Sequence, residues 1–545
     1  MTRDIIEYDV LIIGAGPAGL AAAIRLRQLA AASGREISVC VLEKGARIGA
    51  HILSGAVIDP IALDELLPDW RTLGAPLKTE VREDKVVWLS ARHALPAPHF
   101  SLPPQIDNRG LYVGSLGDLC CWLGDQAEAL GVELYPGFTA AAPCYNEAGA
   151  LIGVVSGDMG RNAAGEESPR FAPGIEIRGR YTLVAEGAGG SLTRELEARY
   201  GLRDSIGESH FGLGIKELWR IPAERHRAGS VTHFLGWPLG RAAGGGAFLY
   251  QYGEDRVALG LITHFGYRNP QLSPFDEFQR LKTHPRIAAL LAGGECLGYG
   301  ARSINAGGLQ SQPRLSFPGG LLLGCAAGLL NVLRIKGAHT AMKSGMLAAE
   351  AVAAALQAGR AHDELADFPA AVAASWIGRA QRDTRNVKPL LSRFGTVLGS
   401  LVCGAEMWLL ALGLRLPWTL RHPAPARSKM AAARDCPPRP PLKPDGVLTF
   451  DRNSALMRAN IHHEHDQPPH LRRQNTLAQE NARVIRFAVP EARYCPAGVY
   501  EREGDTVRIT SQNCLHCKAC ELNDPAHSLL WHPPEGGSGP LYIGM

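Results

Sequence analysis

The alternation of apolar and polar positions near the start of the chain predicts a strand, a helix and a second strand. Residues 9–13 (DVLII) are apolar enough for a buried strand, and residues 17–32 are rich in Ala and Leu, as in a helix. Residues 38–43 (SVCVLE) form a second apolar run that ends in an acid. This order predicts a βαβ unit, in which the helix connects two parallel strands.

Two later segments repeat the change from an apolar run to glycines. Residues 181–190 (YTLVAEGAGG) and 319–330 (GGLLLGCAAGLL) each read as a strand that breaks at glycine. The second leads to a helix predicted from about residue 340 to residue 356. Together with the first unit, these segments predict three strand-to-glycine turns that face one nucleotide.

The middle and the end of the chain follow other patterns. Residues 205–300 alternate and are richer in aromatics, which predicts a β-rich inserted domain. Residues 421–445 are rich in Pro, Arg and Ala and predict a linker. Residues 446–545 then form a separate small domain, and no repeat of fixed period is visible.

The composition is that of a folded protein and gives no reason to expect nucleic acid. Of 545 residues, 46% are apolar and 20% are charged, so the chain buries a large core and divides into several domains. The 57 Lys and Arg are nearly matched by 53 Asp and Glu, so no nucleic-acid partner is expected. The first residues lack a signal or transit pattern, which favours a reducing cytoplasm.

The first glycine turn has the features of a dinucleotide site. In Gly14-x-Gly16-x-x-Gly19, the glycines allow a tight turn, the approach of a pyrophosphate and close packing of helix on strand. Glu43 ends the second strand and is placed to accept hydrogen bonds from ribose hydroxyls. An ordinary glycine turn is the alternative, but strand, loop, helix, strand and acid together favour a dinucleotide.

The later turns favour FAD over NAD, because they predict contacts to the ribityl chain and the flavin ring. The glycines concerned are Gly187, Gly324 and Gly328. The segment through Gly328 is predicted to start a helix whose dipole stabilises negative charge on a reduced flavin. A purely structural turn is the alternative, and Cys325 stands where related flavoproteins often carry Asp.

The last cysteines have the spacing of an iron–sulfur site. Cys514-x-x-Cys517-x-x-Cys520 matches three corners of a ferredoxin cluster, and Cys495, which precedes a proline, supplies the fourth sulfur. Asp524-Pro525 occupies the place where two-cluster ferredoxins continue with a further Cys-Pro, so one [4Fe–4S] cluster is predicted. Zinc would use the same four thiolates and is the alternative. His516 is expected to shield the cluster or to donate a hydrogen bond to it.

One apolar stretch is a candidate for contact with lipid. Residues 396–414 carry Glu406 in their middle, so a transmembrane span is not expected. Two tryptophans near the ends and basic residues after it fit a helix in the lipid interface. These are Trp408, Trp418, Arg415, Arg421 and His422. A buried core helix fits the sequence equally well.

The sequence resembles one family over nearly its whole length, the electron-transfer flavoprotein:ubiquinone oxidoreductases. The resemblance is carried by residues 49–70, 126–138, 236–239, 245–252, 269–285, 299–311, 335–351 and 463–471 and by the cysteine tail to residue 545. It implies FAD, one [4Fe–4S] cluster and ubiquinone as substrate. It also implies electron-transfer flavoprotein and a membrane surface as partners.

The resemblance also implies particular site residues. Gly245 and Gly246 correspond to a glycine pair whose backbone meets a quinone oxygen, with a tight hairpin bend as the alternative. Gly244 stands where an aromatic residue is expected, which changes the shape of the pocket. Asn305 corresponds to a position near the flavin, where its amide tunes the flavin potential or merely caps a turn. The segment at 331–337 reads NVLRIKG where the family more often has NVPKIKG.

The predicted fold is α/β, with a Rossmann-like FAD-binding domain of the glutathione-reductase/hydroxylase type. That domain takes residues 1–205 and 300–390, and residues 205–300 with 391–420 form an inserted, β-rich, quinone-binding and membrane-facing region. Residues 446–545 form a ferredoxin-like domain. The protein is expected at the cytoplasmic face of a bacterial inner membrane. A flavin-dependent reductase or monooxygenase of a lipid-like substrate, and a zinc-stabilised flavin-binding scaffold without turnover, are the alternative functions.

Overall fold

The computed structural model describes residues 3–54, 57–207, 209–423, 429–504 and 506–545, without the side chains of residues 477 and 478. The first strands are β1 (Ile5–Ile13), β2 (Val39–Glu43), β3 (Val57–Ile58), β4 (Thr79–Glu80), β5 (Glu83–Leu89), β6 (Ala94–Pro96), β7 (Tyr112–Val113), β8 (Glu133–Pro136), β9 (Ala140–Tyr145), β10 (Leu151–Ser156), β11 (Met159–Arg161), β12 (Glu167–Ala172) and β13 (Glu176–Val184). The later strands are β14 (Phe211–Arg220), β15 (Ser230–Gly236), β16 (Gly245–Tyr252), β17 (Arg256–His264), β18 (Glu295–Asn305), β19 (Ser316–Phe317), β20 (Gly320–Leu322), β21 (Ile461–His462), β22 (Leu471–Arg473), β23 (Tyr500–Glu503), β24 (Thr506–Ile509), β25 (Leu529–Trp531) and β26 (Gly539–Pro540).

Helices occur throughout the described residues. They are α1 (Pro17–Ser33), α2 (Ile61–Leu66), α3 (Leu116–Ala129), α4 (Ser191–Arg199), α5 (Pro274–Lys282), α6 (Pro285–Leu291), α7 (Ala338–Gln357), α8 (Asp367–Ala374), α9 (Trp376–Asp383), α10 (Val387–Ala411), α11 (Arg452–Leu456), α12 (Leu477–Phe487), α13 (Glu491–Tyr494) and α14 (Ala519–Leu522).

The first sheet confirms the predicted βαβ unit. Its main strand order is β19–β20–β13–β1–β2–β8, and β1 pairs in parallel with both β2 and β13. Residues 10–13 are fully apolar and buried, because neighbouring strands and helices cover both faces of the sheet. Helix α1 packs against α7, which brings the first and third glycine turns to one edge of the sheet.

The third glycine turn differs from its prediction in one respect. The segment through Gly328 forms turns and does not start a helix, and α7 begins only at Ala338. Between them, Asn331 and Lys336 form an isolated β-bridge, so the chain makes a closed loop before the helix begins. The N-terminus of α7, with its helix dipole, therefore lies one loop after Gly328 and not at Gly328 itself.

The second sheet confirms the β-rich insertion and extends beyond its predicted ends. Its strand order is β18–β14–β17–β16–β15–β5–β6. Strands β5 and β6 come from the N-terminal part of the chain, and β18 runs across residue 300 to Asn305. One face of this sheet packs on α5, and Phe248 and Tyr250 on the other face pack against Val57 of β3 and Val113 of β7.

The C-terminal residues consist of short ladders, β21–β26, β22–β25 and β23–β24, and short helices. Their apolar side chains, including Tyr494 and Trp531, belong to the same hydrophobic core as Trp219 and Phe278 of the second domain. The small domain is therefore joined to the second sheet by a continuous core.

Part of the predicted linker, residues 424–428, lies outside the described residues. Residues 430–445 are irregular apart from a 3₁₀ turn at Ala433–Asp435. They are fastened to the second domain, since the Ala431 amide donates to the Arg268 carbonyl at 2.8 Å and the Arg439 guanidinium contacts Glu277 at 2.7 Å. This segment is thus packed along the protein.

Candidate functional site

The first glycine turn forms a cradle that side chains would fill. Gly14 has a φ of +105°, and a Cβ at this residue would lie 2.7 Å from the Ala185 carbonyl oxygen. A Cβ on Gly19 would lie 2.1 Å from the Gly14 oxygen, so helix and strand approach closely there. A Cβ on Gly16 would meet only Ile52, at 4.0 Å, on the side open to a large cavity.

The start of α1 is free to bind an anion. Gly16 is the N-cap and offers no side-chain cap, so the first N–H groups of a 17-residue helix point toward this cavity. Glu43 holds the loop, since its carboxylate accepts from the amides of Ala15 at 3.2 Å and Gly45 at 2.7 Å. These features fit the pyrophosphate and ribose of a dinucleotide.

The other two glycine turns meet the first at the same cavity. Its volume is about 1740 Å³, and Gly14, Gly16, Glu43, Gly187 and Gly324 all line it. A Cβ on Gly324, whose φ is +55°, would lie 3.2 Å from both Ala18 and Ala341. This space suits an extended group such as FAD. Gly19 and Gly328 lie behind the lining and shape it.

Asn305 caps a turn and does not itself line the large cavity. Its side chain is buried, and its Oδ1 accepts from the Gly307 amide at 3.1 Å, which caps a turn. Its amide nitrogen lies 3.7 Å from the position that a Cβ on Gly328 would take. The same side chain therefore caps the turn and reaches the third glycine turn.

The glycine pair predicted to bind quinone opens β16 and does not form a hairpin bend. Gly245 pairs with Thr263 and Gly246 pairs with Ile262 on β17. Gly245 has a φ of +139°, and a Cβ there would lie 1.9 Å from the Ile262 carbonyl oxygen. Both glycines line the large cavity. Their backbone is thus accessible to a flat ligand in a place where no side chain fits.

Several polar side chains reach this cavity without any signal in the sequence. Lys216 is buried, and its Nζ has no hydrogen-bond partner among the described residues; burial lowers its pKa to about 7. On neighbouring strands, the Tyr250 hydroxyl and the His233 Nε2 lie 2.8 Å apart, and His233 Nδ1 lies 3.7 Å from Asp84. Period-two alternation places these residues on one face of the sheet. Only the strand register brings them together.

The four predicted cluster cysteines converge on one small cavity. Cys495, Cys514, Cys517 and Cys520 are buried and line it together. All twelve cysteines lie in the described ranges and are free thiols. Burial raises the pKa of the Cys514 thiol, so holding these sulfurs as thiolates requires a metal centre. The donor set fits an iron–sulfur cluster.

The cluster loop turns tightly through two residues with positive φ. His516 and Lys518 have φ values of 54° and 61°, which bend the chain around the small cavity. The backbone amide of His516 donates to the Cys514 sulfur at 3.4 Å. Its ring is buried, with Nδ1 3.1 Å from the Lys44 Nζ. The hydrogen bond to sulfur therefore comes from the backbone of His516, while its ring faces the flavin-side loop.

The cluster loop is in direct contact with the glycine turns of the first domain. Lys518 Nζ donates to the Gly189 carbonyl at 2.7 Å. The Ser303 hydroxyl, on the strand that ends in Asn305, donates to the Cys517 carbonyl at 2.6 Å. The loop that carries the cluster cysteines is therefore hydrogen-bonded directly to the segments that line the flavin site.

The apolar stretch forms an exposed helix, which contradicts the core-helix alternative. Only 17% of the most apolar window of α10 is buried, and Leu401 is 67% exposed. Helix α10 is long and apolar enough to span a membrane by length and composition alone. It is kinked at Gly395, and Glu406 is buried and accepts from Asn386 at 2.8 Å.

Other exposed apolar side chains flank this helix. Trp408 donates to the Ser101 carbonyl at 3.1 Å, which fastens the segment around Phe100 to α10. We call the resulting surface the apolar face; it consists of Phe100, Phe394, Val397, Leu398, Leu401, Val402, Trp408, Leu412, Leu414 and Trp418.

Three segments of the chain match known protein families. Residues 12–68 match an NAD(P)-binding Rossmann-like domain. Residues 211–304 match the ETF-QO ubiquinone-binding family, and residues 446–543 match the family described as electron transfer flavoprotein-ubiquinone oxidoreductase, 4Fe-4S. The three matches fall in the first, second and C-terminal parts of the fold.

One solved structure shares the fold of this chain, and named relatives share its sequence. A geranylgeranyl bacteriochlorophyll reductase-like protein from Thermoplasma acidophilum shares the fold with a TM-score of 0.57, at 16% identity over 76% of this chain and 94% of that chain. The chain is 45% identical to the mitochondrial electron transfer flavoprotein-ubiquinone oxidoreductase of Mus musculus, over 100% of this chain and 90% of the relative. It is 46% identical to the Pseudomonas aeruginosa protein of that name over 100% of both. The chain therefore belongs to the electron transfer flavoprotein-ubiquinone oxidoreductase family.

Proposed function

We propose that this enzyme takes electrons from reduced electron transfer flavoprotein and passes them to ubiquinone, which becomes ubiquinol. The observation that carries the proposal is the contact of the cluster loop with the flavin-side turns, from Lys518 to Gly189 and from Ser303 to Cys517. Two electron-carrying sites in contact, beside a cavity in the ubiquinone-binding segment, suit transfer between a soluble donor and a quinone.

FAD and one [4Fe–4S] cluster are the cofactors, and together they supply centres that accept and release single electrons. We assign the pyrophosphate to Gly14, Gly16 and the start of α1, with Gly19 packing behind them. Glu43 orients the loop for the ribose, and Gly187, Gly324 and Gly328 shape the space for the rest of the flavin. This assignment is supported by the close backbone contacts at Gly14 and Gly19.

We assign the cluster to Cys495, Cys514, Cys517 and Cys520. The chain folds these thiols into a dry space with backbone N–H groups nearby, and it excludes water there through buried neighbours such as Leu515 and Tyr500. Zinc is not supported, since the C-terminal residues match a 4Fe-4S family.

We assign the quinone headgroup to the cavity beside Gly245 and Gly246. Absence of side chains lets a planar ring meet the backbone, and the sheet supplies a rigid wall. Phe394 and Leu401 of the apolar face line the same cavity, so a hydrophobic quinone reaches it from that side.

We further propose that the apolar face rests in one leaflet of a bacterial inner membrane, on the cytoplasmic side. The transfer of large exposed apolar side chains from water into lipid lowers the free energy of the system. Trp408 and Trp418 suit the boundary between lipid and water. The helix then lies on the membrane and delivers quinone to the cavity.

Turnover with the two partners tests the proposed function. Purified holoenzyme is mixed anaerobically with reduced electron transfer flavoprotein and ubiquinone-1, and quinol formation is followed. We expect quinol to form with both partners present, and no quinol when NADH replaces the flavoprotein as electron donor. Oxidation of NADH, or oxygenation of a lipid-like substrate, would instead support the flavin-dependent reductase or monooxygenase reading, which the 4Fe-4S match does not favour.

A further inference from the structure

His264 occupies the space that the missing aromatic side chain at residue 244 leaves beside the quinone glycines. A Cβ on Gly244 would lie 3.1 Å from the His264 Nδ1, and the His264 amide donates to the Gly244 carbonyl at 2.9 Å. His264, Gly244 and the glycine pair line the same cavity. A titratable ring therefore stands where the headgroup is assigned.

A lysine from the membrane-facing helix fixes the orientation of this ring. Lys388, at the start of α10, is buried, and its Nζ lies 3.1 Å from the His264 Nδ1. An ammonium group only donates hydrogen bonds, so Nδ1 accepts and the neutral ring carries its proton on Nε2. Burial and the positive charge of Lys388 lower the pKa of His264, which keeps the ring neutral.

We propose that His264 is the acid that gives ubiquinone one of its two protons, and that Lys388 positions its ring and restores the proton. This inference rests on the proposed function. Two electrons reach the quinone from the electron transfer flavoprotein by way of the cofactors. The His264 Nε2–H bond breaks and an O–H bond to quinone forms. Nδ1 takes a proton from the Lys388 ammonium, which is left as a neutral amine. After quinol leaves, Nε2 takes a proton from solvent and Nδ1 returns its own to Lys388, so the starting tautomer and charge are restored. The second proton of the quinol comes from solvent.

The charged surroundings of the pair are basic. His210 and His422, with ring centroids 4.3 Å apart, lie on one side of the pair. Burial lowers the pKa of His210, and the positive charges of Lys429 and Arg203 also lower it. Burial, with a smaller effect of Lys429, lowers the pKa of Lys388 to about 8. Lys388 therefore supplies a proton at neutral pH and loses it above about pH 8.

The first test separates proton delivery from electron entry. In H264Q, which keeps an N–H donor but relays no proton, we expect the kcat for ubiquinone-1 to fall about 100-fold with little change in KM. Reduction of flavin and cluster by electron transfer flavoprotein stays at the wild-type rate. The matched control is H226Q in the loop before β15, where His226 contacts the Arg256 carbonyl and does not line the cavity.

The second test uses Lys388 and pH. We expect the wild-type rate of quinone reduction to fall above about pH 8, because burial lowers the pKa of Lys388 to about 8. We expect both K388M and K388R to be slow with no such fall, because methionine carries no proton and guanidinium holds its proton too tightly to give it to Nδ1. Nitrogen NMR of ¹⁵N-histidine protein, assigned by difference from H264Q, reports the Nε2–H tautomer independently of turnover.

The outcomes distinguish this inference from the proposed function. If wild-type holoenzyme forms no quinol with reduced flavoprotein, the function itself fails. If wild-type protein turns over and H264Q, with normal flavin and cluster spectra, keeps the wild-type rate, only the role of His264 fails. An unchanged alkaline fall in K388M, or an Nδ1–H tautomer at His264, overturns the role of Lys388.

Discussion

The cluster site and the quinone cavity differ in how the chain builds them. The four cysteines lie within 26 residues of sequence, from 495 to 520, and enclose a small, dry space. The quinone glycines lie in the large cavity that also holds the flavin-side turns; its volume is about 1740 Å³, and it is lined from the first glycine turn to the C-terminal domain. Its paired groups, such as His264 and Lys388, are 124 residues apart. A metal site of this kind follows from local spacing, whereas a substrate cavity follows from strand register.

The largest expected effect is at the cluster. We expect C517A to lose the EPR signal of the cluster and ubiquinone reduction by electron transfer flavoprotein, since three thiolates leave one cluster corner open. The control is C436A, whose thiol lies away from the cluster cysteines and donates to the Arg268 carbonyl at 3.9 Å. A full cluster signal in C517A would remove this cysteine from the ligand set.

The next effect tests the quinone glycines separately from the cluster. In G245A, the new Cβ meets the Ile262 oxygen at 1.9 Å, so the start of β16 must move. Strain of about 1–3 kcal/mol is expected, with roughly a 100-fold lower kcat/KM for ubiquinone-1 and unchanged cluster and flavin spectra. G253A, which also has positive φ but whose Cβ would meet only Arg256 at 3.8 Å, is the matched control. Equal activities in the two variants would place the headgroup elsewhere.

A third prediction concerns the polar lining of the cavity and has a defined pH dependence. Burial lowers the pKa of Lys216 from 10.5 in the unfolded chain to about 7 in the folded one. The unfolded chain therefore binds more protons between these pH values, and stability rises with pH there. We expect K216M to raise the free energy of unfolding by on the order of 3 kcal/mol at pH 7, and by less at pH 10. Denaturant unfolding of quinone-free holoenzyme measures both.

The control for this change is K78M, because Lys78 is exposed. K78M should leave the free energy of unfolding and its pH slope unchanged. A K216M protein that is no more stable than wild type at pH 7 would mean that Lys216 has a charged partner in the folded holoenzyme.

The smallest effect is at the apolar face. Leu401 is 67% exposed on α10, and a carboxylate there is expected to weaken binding to phosphatidylcholine vesicles about tenfold. I485E is the control, since Ile485 is 81% exposed but lies on α12, away from the apolar face. Binding is measured by sedimentation of the protein with vesicles. An equal loss of vesicle binding in L401E and I485E would contradict a role of α10 in membrane docking.

Much of the fold follows from the sequence, because local patterns determine it. The apolar run before Gly14, the helix after it and the acid at Glu43 predict the βαβ unit, and the structure has strands and a helix at those places. The family match to a 4Fe-4S domain likewise agrees with the spacing of the last cysteines.

The sequence could not predict features that depend on packing between distant segments. The sequence predicts α7 from about residue 340, close to its observed start at Ala338, but no propensity signals the closed loop before it, which a β-bridge between Asn331 and Lys336 holds. Exposure of α10 depends on what covers it, and apolar periodicity is the same for a buried and a lipid-facing helix. His264 joins Gly246 on one face only through the pairing of β16 with β17.

The most direct test of the account is EPR and metal analysis of the purified protein as electrons enter and leave. On addition of reduced electron transfer flavoprotein, we expect a yellow protein with four irons per chain to develop the signal of a reduced [4Fe–4S] cluster, and ubiquinone-1 should then abolish that signal. Zinc in place of iron, a colourless protein, or a cluster signal that ubiquinone-1 leaves untouched would contradict it.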